Sequence, residues 1–181
     1  MKRFCKFFSP RFSFLAVILC FLFSITLGVS SLAADDASKA REFPYSLGGG
    51  IEGNFNTREG IAMAYGVALD RYFLYSGDSG ILQLGVKGYM QTDFEGISGT
   101  ELDFYMRLNM ANFGSGKLFG QVSLGHCSYR EDEINVSTMH MDFTFGYRAY
   151  LLDGFYIEPY VRTGFPFLLG AGIMIGHWFS F

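Results

Sequence analysis

Residues 101–110 read ELDFYMRLNM. Leu102, Phe104, Met106, Leu108 and Met110 occupy one parity, and Glu101, Asp103, Tyr105, Arg107 and Asn109 the other. Successive side chains of a strand leave opposite faces, whereas a helix would need apolar positions three and four apart. The stretch therefore predicts a β-strand with one wholly apolar face and one face carrying charges of both signs. Which face meets the surroundings decides the fold.

The alternation continues in both directions. ILQLGVKGYMQ (81–91) sets Leu82, Leu84, Val86 and Met90 against Gln83, Lys87, Tyr89 and Gln91. Downstream, Met139, Met141, Phe143, Phe145 and Tyr147 oppose His140, Asp142, Thr144, Gly146 and Arg148. Ile157, Pro159, Val161 and Thr163 then oppose Glu158, Tyr160 and Arg162. In the last stretch Ile173, Ile175, Phe179 and Phe181 stand opposite Gly172, Met174, Gly176, Trp178 and Ser180. GGGIEG (48–53) and AMAYGVA (62–68) alternate more weakly. Turn signals at 56–60, 76–80, 95–99, 114–116, 130–133, 152–154 and 164–167 divide residues 45–181 into eight segments.

Charged residues make up 17% of the chain and aromatics 18%, against about 25% charged in an ordinary soluble domain. After position 34 no apolar run reaches the roughly 20 residues a membrane helix needs. A closed barrel is the other way to satisfy every backbone group inside lipid. The expectation is an all-β fold, an eight-stranded antiparallel up-and-down transmembrane β-barrel with its apolar face outward. A charge on that face would cost about 2–4 kcal/mol at the membrane midplane. Tyr45, Phe73, Phe113, Phe155 and Phe181 lie near segment ends, where an interfacial aromatic girdle belongs. Arg71 and His177 break the apolar parity; Arg71 is close enough to a segment end to snorkel. A soluble lipocalin-like ligand-binding barrel also alternates, but it would turn its apolar residues inward.

The chain begins with Lys2, Arg3, Lys6 and Arg11 ahead of an uncharged apolar run that ends in Ser31-Leu32-Ala33. This is the layout of a secretory signal, predicted over residues 1–33, with a polar lead over 34–44 before the barrel at 45–181. Its removal leaves ten basic residues against seventeen acids, a formal charge of −7. That balance excludes nucleic acid as an expected partner. Cys127 would be the remaining cysteine, so no intramolecular disulfide is available.

An eight-stranded barrel has an interior that side chains just fill. The predicted lumen holds Glu52, Asp70, Asp103, Asp142 and Glu158 beside Lys87, Arg107, Arg148 and Arg162. A hydrogen-bonded ion network is expected there, because an unpaired buried charge is costly. His140 and Asp142 share the inner face and could bind a metal with a further ligand, but a satisfied interior pair is the expectation, with no metal and no cofactor. Glu131, Asp132 and Glu133 read as solvated turn acids. GGGIEG matches GxGxxG without the strand-to-helix context of a dinucleotide site. Asn135-Val136-Ser137 matches a glycosylation sequon, a pattern too short to be informative.

GHCSYREDEIN (125–135) is the chemically richest stretch. Parity with Leu118, Val122 and Leu124 puts His126 and Ser128 on the lipid face near the external rim, with Cys127 toward the lumen. The His-x-Ser pair resembles that of the lipid A deacylases of the PagL kind, which implies a serine nucleophile activated by histidine. Asn135, across the turn, would stand where such an enzyme orients its histidine. The pair lies on the fifth segment rather than the penultimate one, and Tyr129 follows the serine where that family has Asn. The preferred reading is that these residues are not catalytic.

The ending GIMIGHWFSF, with Phe179 and Phe181, resembles the C-terminal strand signal read by the outer-membrane barrel assembly machinery. With the signal segment and the eight alternating segments, the chain resembles the small outer-membrane β-barrels of the OmpX, OmpA-domain and OmpW group. The resemblance implies periplasmic termini, the outer membrane of a diderm bacterium as location, and outer-membrane lipid as partner. It also implies a structural, surface-interaction or small-solute role, including passage of small hydrophobic molecules.

Overall fold

The computed structural model describes residues 44–56, 60–76, 79–92, 98–131, 134–166 and 168–180. The predicted signal, most of the lead, the Asp132-Glu133 turn acids and Phe181 lie outside them. The eight segments become eight strands: β1 (Tyr45–Asn56), β2 (Gly60–Ser76), β3 (Ser79–Thr92), β4 (Ser98–Phe113), β5 (Gly116–Glu131), β6 (Ile134–Tyr150), β7 (Phe155–Phe165) and β8 (Leu169–Phe179). A single 3-10 turn, Leu152–Gly154, joins β6 to β7. Each strand pairs antiparallel with its sequence neighbours, and β1 pairs with β8 to close the barrel. Closure leaves no long sheet edge to be covered. The end carrying Tyr45 and the turns at 114–115 and 151–154 is called the inner end below, and the opposite end the outer one.

The faces follow the parity. On β4 burial alternates strictly from Ser98 to Met110, with Glu101, Asp103, Tyr105 and Arg107 inside and Leu102, Phe104, Met106 and Leu108 outside. Phe104 is 71% exposed and Asp103 0%. This is the inverse of a soluble ligand-binding barrel. The apolar exterior spans the strands, from Leu47, Val67 and Val86 to Phe143, Phe145 and Ile175.

The interior accommodates large rings by setting them over small partners. Tyr105 faces Gly85 across β3–β4, Tyr160 faces Gly172 across β7–β8, and Phe119 faces Gly146 across β5–β6. A Cβ at any of these glycines would overlap the ring. The weak alternation of GGGIEG has the same origin, since at Gly48 a Cβ would run into Tyr156 and Met174. A cavity of about 10 Å³ lies between Lys87, Arg107, Glu158 and Tyr160, about the least that holds one water.

The two residues that break the parity find aromatic partners at the inner end. The Arg71 guanidinium sits 5.0 Å from the centre of the Tyr45 ring, and the His177 ring stacks edge-on with Phe155 at 4.6 Å. Tyr147 keeps its outward parity yet is only 8% exposed. Its ring lies against Phe113, and its hydroxyl donates to the Phe113 carbonyl. At the outer end β6 continues beyond its partner: the β6–β7 register starts at Met141↔Phe165, while β5–β6 pairing runs on to Glu131↔Ile134.

Candidate functional site

Strand alternation puts nine expected lumen charges inside, all 4% exposed or less. They separate into two clusters along the axis. In the inner cluster Arg107 forks onto Glu158, with Nη1 to Oε2 and Nη2 to Oε1 both 2.8 Å. Arg148 donates from Nε to the same carboxylate at 2.7 Å and from Nη2 to Asp70 at 3.2 Å. Asp70 also accepts from Ser46, Gln83 and Tyr105. Two acids meet two guanidiniums here. The rings help, with Arg107 lying 4.0 Å from the Phe119 centroid and Arg148 4.0 Å from that of Tyr156. Planar guanidiniums suit both the carboxylate fork and the aromatic face.

The outer cluster is built differently. Lys87 Nζ donates to Asp142 Oδ2 at 2.7 Å and lies 3.5 Å from Asp103 Oδ2. Arg162 contacts Glu101 Oε1 at 2.6 Å, Glu52 Oε1 at 2.7 Å and Asp142 Oδ2 at 3.4 Å. His140 Nδ1 stands 3.0 Å from Asp103 Oδ1, 3.6 Å from Glu101 Oε1 and 3.7 Å from Asp142 Oδ2. Gly125 makes this possible, because it lies in register between Asp103 and His140 and a Cβ there would collide with Asp103 Oδ1. Glu101 and His140 are central to the cluster although the expected charge network omitted them. Both sit on the inward parity of their strands, which was the signal that could have included them. Lys117, also buried, belongs with the inner end, 5.8 Å from the Tyr72 ring centre.

On the barrel's outside, His126 is exposed and Ser128 half-buried, while Cys127 points inward at 0% exposure. The His126–Ser128 pairing that the deacylase resemblance implies is not what the side chains make. His126 Nε2 lies 2.9 Å from Ser137 Oγ, and Ser128 donates to Asn135 Oδ1 at 3.0 Å. The reason is register: Ser128 faces Ser137 across β5–β6, and each polar side chain reaches the adjacent strand rather than its neighbour two residues along. Asn135 therefore holds the serine, and the histidine turns to a different hydroxyl. Phe179, half of the expected assembly signal, stacks on Tyr45 at 5.9 Å where β8 meets β1.

No family model matches the chain, and no curated protein matches it. Solved structures do. The N-terminal β-barrel domain of Pseudomonas aeruginosa OprF aligns with a TM-score of 0.56 at 14% identity, covering 74% of this chain and 97% of that one. Neisserial surface protein A aligns with a TM-score of 0.51 at 9% identity, covering 76% and 96%. At such identities the likeness is one of fold: the chain has the closed eight-stranded architecture of the small outer-membrane β-barrels.

Proposed function

We propose that the protein is an integral outer-membrane β-barrel with a sealed lumen, a membrane-anchored scaffold whose outer end is its interaction surface. The observation that carries this is the inversion of polarity, with Phe104, Phe143 and Ile175 outside and two clusters of buried ion pairs inside. Residues 1–33 would direct export, and Phe179 with Phe181 would present the strand to the assembly machinery. Passage of solutes along the axis is not favoured, because two charged clusters and the packed Tyr105, Phe119 and Tyr160 side chains occupy the interior. The exterior His126 and Ser128 then serve the polar rim of the barrel rather than catalysis.

Cell fractionation and gels test the reading together. The protein should partition with the outer membrane and migrate faster unboiled than boiled in detergent gels. In planar bilayers it should give no stable conductance steps. A mature chain that stays soluble without detergent would overturn the membrane assignment, and reproducible single-channel steps would overturn the sealed lumen.

A further inference from the structure

We propose that Glu101, Asp103, His140 and Asp142 form a binding site for one divalent transition-metal ion in the outer half of the lumen. One ligand atom from each lies within 4.8 Å of all the others, and all four residues are buried. Three features point to a cation rather than to a self-contained polar cluster.

The first is geometry. Oxygens of three different carboxylates converge on one nitrogen, His140 Nδ1, at 3.0, 3.6 and 3.7 Å. A ring nitrogen carries at most one hydrogen and can satisfy only one of them; Glu101 Oε1 and Asp142 Oδ2 accept from Arg162 and Lys87 instead. A four-coordinate ion with bonds of about 2.1 Å spaces its ligands about 3.4 Å apart, which the three distances bracket. The second is a loosely held acceptor. Asp103 Oδ2 is buried without a hydrogen-bond partner, on a residue that is 0% exposed, and Lys87 Nζ faces it only at ion-pair range, 3.5 Å.

The third is charge. Glu52, Glu101, Asp103 and Asp142 share the cluster with two full cations, Lys87 and Arg162. With His140 neutral, as a metal ligand must be, four acids against two bases leave a formal excess of two negative charges in a buried interior, where uncompensated charge is strongly disfavoured. A divalent ion cancels that excess. One imidazole and three carboxylates form a donor set suited to zinc or manganese, with no thiolate to favour copper(I). Lys87 and Arg162 would hold the carboxylates in place, as groups around metal ligands commonly do. Thr144 and Ser123 do the same by donating to Asp142 Oδ1 at 2.8 and 3.1 Å.

The test uses the mature chain refolded in detergent micelles, its folding confirmed by heat-modifiable migration. After loading with ZnCl2 and dialysis, elemental analysis should find one zinc per chain. Competition against a chromophoric chelator should show binding weakened on the order of tenfold or more in His140→Gln and in Asp103→Asn. His126→Gln removes the exposed exterior imidazole and should bind like the wild type. Loading the wild type with CoCl2 should give the visible absorption of a four-coordinate N/O site, a reading that holds even if a variant fails to fold. The proposal is overturned by a folded wild type that retains no zinc and shows no such band. It is equally overturned if zinc is lost in His126→Gln and kept in His140→Gln.

Discussion

The two halves of the lumen solve the same problem in different ways. The inner half pairs Asp70 and Glu158 with Arg107 and Arg148 through four charge-assisted hydrogen bonds of 2.7–3.2 Å. The outer half sets four carboxylates against one lysine, one arginine and a histidine. The inner cluster is complete in itself, so it acts as a clamp across β2, β4, β6 and β7. The outer cluster carries an electrostatic deficit that an added cation would fill. A balanced network is harmed by any deletion, whereas an unbalanced one can gain from losing the right charge.

The largest effect should come from Glu158→Ala, which leaves the buried Arg107 without a carboxylate and Arg148 with Asp70 alone. Removing one partner of a buried ion pair costs about 3–5 kcal/mol, to be read as a lower midpoint in guanidinium unfolding from detergent or lipid. A loss under about 1 kcal/mol would mean the inner cluster is not the clamp inferred here. Gly125→Ala should cost about 1–3 kcal/mol, the usual penalty for forcing volume into a packed interior. The same unfolding measurement would show it, and zinc retention should fall with it, because the new methyl drives Asp103 away from His140. Asp103→Asn should do least in the absence of metal, costing clearly less than Glu158→Ala by the same unfolding measurement. It removes one of the surplus charges while keeping the side chain's shape. If it destabilises as much as Glu158→Ala, the contrast between the two halves fails.

How far the residues announced this structure differs from one feature to the next. ELDFYMRLNM and its neighbours specified strands and faces because a period of two leaves only two registers, and the wrong one would put Arg107 in lipid. The seven turn signals fell at the observed connections for the same reason, since Gly, Asn and Asp interrupt the alternation where the chain reverses. His126, Ser128 and Asn135 could be placed on the outer face near the rim, but not paired. Which hydroxyl the histidine meets depends on cross-strand register, and Ser128 opposite Ser137 sends the imidazole to the latter. Glu101 and His140 were legible as inward residues, yet their convergence was not, because it joins strands 37 positions apart.

By itself, then, the sequence determined the strand count, the inward and outward sets, and the lack of a helix-length apolar run after position 34. These depend on local periodicity and composition, and each can be read within a dozen residues. Closure of β1 on β8, the sorting of the lumen charges into a balanced and an unbalanced cluster, and the gathering of three carboxylates around one imidazole were decided only by the tertiary structure. Those depend on the stagger of eight strands around a ring, a relation between distant residues that no single stretch encodes.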